Sequence, residues 1–194
     1  MGRGTKEITM ASEKKPAVFI DRDGTLIEFE GQPTAAEHIR LFPFSAEAVR
    51  RLNEKGYLVI VITNQPIIGK GIITLEHSND LNDYMRNELQ KAGARIDAVY
   101  TCPHTYDPDN LCRCRKPAIG MIEEASDDFE IDLQSSWLVG DTTRDMETGK
   151  NAGLKSILVK TGEGGSKTEF FQAMGDYQVE NLLAAVDLIE KTAS

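Results

Sequence analysis

Two rhythms of apolar residues alternate along the chain. Short unbroken apolar runs stop abruptly at polar residues, and between them lie longer stretches in which apolar positions recur every three or four residues. Residues 17–20, 57–62, 96–100, 137–139 and 156–159 are runs of the first kind and predict strands, with a short extended piece near 177–179. Runs with no polar alternation predict a sheet covered on both faces. The second rhythm predicts helices. Ser45 is placed as the N-cap of a helix over 46–55, with Val49 and Leu52 inward and Gly56 as its stop. Thr74 caps the next, which stacks Leu81, Met85 and Leu89 and closes at Gly93. Helices follow over 120–129 and 143–151, and Asn181 caps the last, with Leu182, Ala185, Val186 and Ile189 inward. Residues 66–73, 102–114 and 162–166 read as loops. Strand and helix in alternation predict an α/β fold: a doubly wound parallel sheet in three layers, with right-handed crossovers.

In such folds ligands sit beyond the carboxyl ends of the strands, and the chemistry-bearing residues fall there. The first run ends in Asp21-Arg22-Asp23-Gly24-Thr25, the second in Thr63-Asn64-Gln65 and the fourth in Gly140-Asp141, while Lys116 follows the third. Two carboxylates at a strand end are costly unless something cationic holds them. Singly, each cluster reads equally well as a strand-end turn, and Lys116 as a solvated surface charge. A calcium loop fits poorly, because Thr25 stands where a third acid is needed. Four clusters at the same kind of position predict phosphoryl transfer to a carboxylate, which needs an in-line nucleophile and neutralised phosphoryl oxygens. Asp21 is the candidate nucleophile. Asp23, two residues on, is the candidate acid and base. Thr63 is expected on the phosphoryl oxygens and Lys116 beside both Asp21 and the phosphoryl group. Mg²⁺ is expected on Asp21, Asp141 and a backbone carbonyl at Asp23.

All three cysteines and one of the three histidines, at Cys102, His104, Cys112 and Cys114, fall within 13 positions. Three thiolates and one imidazole predict a closed structural Zn²⁺ site that stiffens the loop presenting Arg115 and Lys116. The alternatives are a redox disulfide or idle loop cysteines, and a Cys-x-Cys pair is too short for an easy mutual bridge. His38 and His77 lack such company and read as surface residues. Two glycine-rich look-alikes fail as phosphate loops. Ser166 stands where the glycine before Lys167 belongs, and no Ser or Thr follows Lys70.

The four clusters resemble the motifs of the haloacid-dehalogenase (HAD) superfamily of phosphatases over nearly the whole folded length. Asp21-Arg22-Asp23-Gly24-Thr25 is similar to the first motif, Thr63-Asn64 to the second, Lys116-Pro117 to the third and Gly140-Asp141 to the fourth. The resemblance implies Mg²⁺ dependence and the Asp21 nucleophile. Such phosphatases often carry a cap domain after the first strand or after the third. Here residues 26–43 are too few for a packed domain and the second position holds only the cysteine loop, so no separate cap is expected. A capless frame with this loop is similar to the group of D-glycero-D-manno-heptose 1,7-bisphosphate phosphatases and histidinol-phosphate phosphatases. Residues 63–71, Thr-Asn-Gln-Pro-Ile-Ile-Gly-Lys-Gly, resemble the heptose enzymes' Thr-Asn-Gln-Ser-Gly-Ile-Ala-Arg-Gly. On that resemblance Asn64 and Gln65 join the substrate-binding set, and Lys70 and Arg115 grip a second phosphate. Pro66 and Ile67 depart from the pattern, as does Thr142, which stands where a lysine is usual. The implied activity is a phosphomonoesterase working through an aspartyl-phosphate on the 7-phosphate of the heptose bisphosphate. Histidinol phosphate or another small sugar phosphate is the alternative. Repair of nucleic-acid 3′-phosphates and a non-catalytic zinc-stabilised module are more distant ones.

The length of 194 residues fits one domain, placed at 16–194, behind a disordered extension over 1–15. A net charge of −9 argues against coating nucleic acid, although a local basic cluster with a metal still admits an anionic substrate. No apolar run approaches a membrane span, no signal peptide is visible, and Lys6 rules out myristoylation. These features predict a monomeric, cytoplasmic enzyme for a small phosphorylated sugar, without nucleic-acid or membrane partners.

Overall fold

In the computed structural model, which describes residues 14–109, 111–165 and 173–192, the apolar run Ala17–Ile20 (β1) forms the middle of a six-stranded parallel sheet. Around it are Leu58–Asn64 (β2), Ala98–Cys102 (β3), Trp137–Gly140 (β4), Lys155–Val159 (β5) and Tyr177–Val179 (β6), in the order β3-β2-β1-β4-β5-β6. Helices Ser45–Glu54 (α1), Pro66–Gly69 (α2), Leu75–Lys91 (α3), Gly120–Asp128 (α4), Thr143–Ala152 (α5) and Leu182–Thr192 (α6) fill the crossovers. β1 pairs with β2 on one side and β4 on the other, so the winding reverses there and a crevice opens at their carboxyl ends.

The period-2 alternation of each strand divides the core in two. Val18, Ile20, Val59, Val61, Val139 and Val159 face α1, α3 and α6, where Leu52, Met85 and Val186 close the layer. Phe19, Ile60, Ile62 and Leu138 face the other way, onto Met121, Ile122 and Ala125 of α4 and Met146 of α5. This is the expected three-layer, doubly wound sheet.

Several local expectations shift. Ser45 does not cap α1. Phe44 precedes the helix already in a helical conformation, and the buried Ser45 hydroxyl donates to the Leu26 carbonyl at 2.7 Å. Thr74 and Asn181 do cap, accepting from the N–H groups of His77 and Ala184, each at 3.0 Å. Residues 66–73 contain the helical turn α2, started by Pro66 at a position where its missing N–H costs nothing. The third strand begins at Ala98, two residues late, because Asp97 spends its carboxylate on the Val59 N–H. Cys102 consequently ends β3, fully buried. The folded part starts by Lys15, whose N–H donates to the Glu130 carbonyl at 2.8 Å. The rest of the expected extension, apart from Lys14, and Ser166 of the glycine loop lie outside the described residues. Among the described residues, the β1–α1 connection carries only isolated bridges and a 3₁₀ turn at Ala36–His38, with no further packed domain. Among them, too, no helix is long and apolar enough to cross a membrane.

Candidate active site

The β1 ladder runs one residue past the strand: the Asp21 N–H donates to the Val139 carbonyl of β4 at 2.9 Å. The chain then folds back tightly. The Leu26 and Ile27 N–H groups both bond the Arg22 carbonyl at 3.0 Å, and Gly24 takes φ +85° to bond the Ile27 carbonyl at 2.8 Å. A Cβ on Gly24 would stand 2.3 Å from Asp141 Oδ2, and one on Gly162 would stand 2.1 Å from it. Two glycine backbones thus close around the Asp141 carboxylate at the end of β4.

Lys116 comes in from the third connection and is buried. Its Nζ lies 2.6 Å from Asp21 Oδ1, 2.6 Å from Asp145 Oδ1 and 3.1 Å from the Ile62 carbonyl. Asn64 sets its backbone: the Lys116 N–H donates to Asn64 Oδ1 at 3.0 Å, and Asn64 Nδ2 donates to the Lys116 carbonyl at 3.2 Å. Asp145 belongs to the capping box that starts α5, with its Oδ2 accepting from the Thr142 N–H at 3.1 Å while Thr142 Oγ1 accepts in return.

Asp23 turns to a different set of partners. Its Oδ2 accepts from Gln65 Nε2 at 2.8 Å, from the Thr63 hydroxyl at 3.2 Å and from Arg22 Nε at 3.2 Å, while among the described residues Oδ1 accepts only from Arg22 Nη2 at 3.2 Å. Arg22 is wholly buried, with Nη1 donating to Asn82 of α3 at 2.8 Å. Asp21, Asp23, Thr63, Asn64, Lys116 and Asp141 therefore converge on one cleft of about 80 Å³, several waters' worth of space. Gln65, expected on the substrate, lies behind the cleft lining. It is buried, and its Nε2 donates to Asp23 Oδ2 and to Thr63 Oγ1, each at 2.8 Å. Lys70 is exposed just after α2, outside the cleft lining. Arg115 is half-buried on the cysteine loop, its Nη1 donating to the His104 carbonyl at 3.0 Å.

The charges do not balance. With every group ionised, the five carboxylates of Asp21, Asp23, Asp141, Asp145 and Glu163 stand against the three cations Lys116, Arg22 and Arg144, a formal surplus of two negative charges. Burial, with Asp145 and Asp23 adding to it against Lys116, pushes the Asp21 carboxyl up to about 7. Burial, with Asp21 and Asp145, pushes Asp141 up to about 9. Although burial disfavours its charge, Lys116 is held above the ordinary lysine value by Asp145 and Asp21. Asp141 Oδ2 accepts the Glu163 N–H at 2.7 Å, but Oδ1 is buried without a hydrogen-bond partner. Oxygens of Asp21, Asp141 and Asp145 lie within 4.8 Å of one another. A buried, all-oxygen cluster with a surplus of two negative charges and an orphaned carboxylate oxygen fits a hard divalent cation.

The cysteine loop gathers its four expected ligands. Cys114 Sγ lies 3.1 Å from Cys102 Sγ and 3.8 Å from Cys112 Sγ, Cys102 lies 3.7 Å from Cys112, and His104 Nδ1 lies 3.2 Å from Cys114 Sγ. All three cysteines are free. Zn–S bonds of about 2.3 Å in a tetrahedron put neighbouring sulfurs about 3.7 Å apart, so the donor set fits Zn²⁺. Gly69 of α2 bonds Pro103 O through its N–H at 2.8 Å, which fastens this loop beside β2. His38 is exposed. His77 is only half-exposed, with its Nε2 2.8 Å from the Thr34 carbonyl.

Three residues escape the sequence reading. Asp145 carries a signal, since Thr142-x-x-Asp145 is a capping-box pattern at the start of a predicted helix. Arg22 stands in plain view between two acids, but nothing local says that it is buried. Arg144, in the first turn of α5, lines the cleft and repels Arg115; burial foremost, and then Arg144, hold the Arg115 guanidinium below its ordinary value.

Comparison with known proteins agrees with this arrangement. The HAD-hydrolase-like family profile matches residues 113–185. A D-glycero-D-manno-heptose-1,7-bisphosphate 7-phosphatase of Thermosynechococcus vestitus is 37% identical over 187 residues, 90% of this chain and 95% of that protein. A D-glycero-beta-D-manno-heptose-1,7-bisphosphate 7-phosphatase of Pasteurella multocida is 35% identical over 183 residues, 91% of this chain and 97% of that protein. Among solved structures, the D,D-heptose 1,7-bisphosphate phosphatase of B. bronchiseptica, complexed with magnesium and phosphate, superimposes with a TM-score of 0.81 at 28% identity, covering 91% of this chain and 99% of that one.

Proposed function

The chain belongs to the D-glycero-D-manno-heptose-1,7-bisphosphate 7-phosphatase family of HAD-like phosphatases, and from that membership we propose that it hydrolyses the 7-phosphate of a D-glycero-D-manno-heptose 1,7-bisphosphate. The observation that carries this is the cleft at the switch point, where a buried carboxylate pair meets a lysine and two negative charges await a cation.

Asp21 attacks phosphorus in line, forming a bond from its carboxylate oxygen as the bond to the sugar oxygen breaks. The proton for that departing oxygen comes from the Asp23 carboxyl. Oδ1 is the oxygen to carry it, because Oδ2 is already occupied by Gln65, Thr63 and Arg22. Asp23 then takes a proton from the water that cleaves the aspartyl-phosphate, restoring both acids. Lys116 steadies Asp21 and the phosphoryl oxygens, and Thr63 supports the same end of the cleft. Asp21, Asp141 and the Asp23 carbonyl would hold Mg²⁺, which would supply charge neutralisation for the phosphoryl oxygens. Asp145 has both oxygens committed, to Lys116 and to Thr142, so it positions the lysine and leaves the cation to the others.

Zn²⁺ on Cys102, His104, Cys112 and Cys114 is proposed as structural, holding the loop that delivers Arg115 and Lys116. Thiolates kept free for a metal suit a reducing compartment, so the cytoplasm is the proposed setting. Action as a monomer on a small-molecule substrate completes the proposal.

The test is phosphate release from the heptose 1,7-bisphosphate with Mg²⁺, followed by ³¹P NMR. Loss of the C7 signal with retention of the anomeric one is expected, and D21N lowers kcat on the order of a thousandfold or more. Failure to turn over the bisphosphate removes the substrate reading, and turnover surviving D21N removes the covalent route.

A further inference from the structure

Arg22 is wholly buried beside the nucleophile, and a guanidinium there is costly unless its donors find acceptors. Two of its nitrogens straddle Asp23: Nε donates to Oδ2 and Nη2 to Oδ1, both at 3.2 Å. These are long for charge-assisted bonds, and an ion pair between sequence neighbours moves with its own turn. The bond that ties the fork to the rest of the fold is the shorter one, from Nη1 to Asn82 Oδ1 at 2.8 Å, across 60 residues of sequence.

Asn82 is buried on the face of α3 that also buries Leu81, Met85 and Leu89, where an apolar residue would serve packing. Its amide has one workable orientation. A guanidinium only donates, so Oδ1 faces Arg22, and Nδ2 donates to Thr101 Oγ1 of β3 at 3.3 Å. Thr101 stands opposite Thr63 in the β2–β3 register, and the Thr63 hydroxyl donates to Asp23 Oδ2 at 3.2 Å. Asp23, Arg22, Asn82, Thr101 and Thr63 therefore form a ring that returns to Asp23, closed by the strand pairing of the two threonines.

We propose that Asn82 is a positioning residue for the proton transfer: by fixing the Arg22 fork it holds the plane of the Asp23 carboxyl, so that the lone pair of Oδ1 left free by Nη2 meets the departing sugar oxygen. This rests on the function proposed above, in which Asp23 gives that oxygen its proton. Removing the Asn82 acceptor leaves the carboxyl present but misaimed. Such a fault slows a step that needs the proton and spares one that does not.

The test measures kcat/KM, which covers the steps up to departure of the alcohol. It uses the heptose 1,7-bisphosphate and p-nitrophenyl phosphate, whose phenolate leaves without a proton. Wild type, N82L, N82D and D23N are compared, with thermal unfolding to establish that each is folded. N82L has a similar size but no acceptor. It lowers the heptose value about tenfold to a hundredfold, mainly in kcat, and the aryl value by less than about threefold. N82D keeps an acceptor for Nη1 and recovers most of the loss, while D23N shows the same split more strongly. Equal losses on both esters in N82L, or no loss, overturn the positioning role, as does an N82D as impaired as N82L. If D23N itself loses equally on both esters, the acid role beneath the inference falls too. A wild type that leaves the bisphosphate untouched overturns the proposed function and this inference with it.

Discussion

Stripping magnesium and raising the pH exposes the charge imbalance directly. In the metal-free protein, burial and neighbouring carboxylates hold Asp21 at about 7 and Asp141 at about 9, against 3.8 for an ordinary aspartate. An acid whose value rises on folding binds its proton more tightly in the folded state. Its stabilising contribution is complete below about pH 4 and is lost as the pH climbs, first through the Asp21 value and then through that of Asp141. For Asp21 alone the interval from 3.8 to about 7 is worth on the order of 4 kcal/mol by pH 8. For a chain of this length that is roughly 10 °C in Tm. A cation bound to the ionised carboxylates cancels the penalty, so the Tm gain on adding Mg²⁺ is small near pH 5 and largest near pH 8 to 9. The assay is thermal unfolding with and without Mg²⁺ across that range, on protein freed of magnesium by dialysis without chelator so that the cysteine loop is undisturbed. D141N sharpens the comparison. It replaces a carboxyl that must take up a proton to fold at pH 8 with an amide that is neutral folded and unfolded and whose oxygen still accepts the Glu163 N–H, so at pH 8 without Mg²⁺ it is more stable than wild type and gains less from the metal. A Mg²⁺ gain that is flat with pH, or a metal-free D141N less stable than wild type at pH 8, refutes the charge count.

Other expectations are narrower. D145N leaves Lys116 with one carboxylate and lowers kcat/KM on the order of ten- to a hundredfold, while Mg²⁺ affinity, read by titration, changes little. Q65L frees Asp23 from its shortest hydrogen bond, and kcat drops about tenfold or more with KM nearly constant, as steady-state kinetics reveal. C112S takes one thiolate from the loop ligands, so zinc content falls in metal analysis and limited proteolysis cuts within residues 102–114. G24A drives a methyl group into the Asp141 carboxylate at a backbone angle suited to glycine, and activity falls on the order of a hundredfold, measured as Mg²⁺-dependent phosphate release.

Most of the fold was readable because the strands here are buried on both faces and appear as unbroken apolar runs. Val59, Ile60, Val61 and Ile62 alternate between the two core layers, yet all four are apolar, so period alone identifies the strand. The errors are where a side chain replaces a backbone device. Ser45 has the composition of a cap, but the adjacent turn offers its hydroxyl the Leu26 carbonyl, and the helix begins without it. Asp97 interrupts a run that hydropathy would have opened at Ile96, because its carboxylate takes the ladder's N–H from Val59. Pro66 pointed to a loop and instead starts a single helical turn, since a proline serves both equally well.

The candidate reacting groups were readable for a different reason: carboxylates and a lysine at strand ends are expensive unless they meet, so four such clusters at the same kind of position are informative together. The residues that make them meet are not, because each also satisfies an ordinary structural need. Asn64 looks like a substrate contact, yet both ends of its amide clamp the backbone of Lys116. Asp145 looks like the acid of a helix start, which it is, and the same carboxylate holds the lysine against Asp21. Because one oxygen of Asp145 completes the α5 capping box and the other binds Lys116, the start of α5 and the placement of the lysine form together. A sequence reading that assigns each residue a single role therefore singles out the candidate nucleophile and misses the residues that aim it. The glycines at 24 and 162 matter because the Glu163 N–H holds Asp141 Oδ2 in place, and the two backbones that close on that carboxylate leave no room for a Cβ.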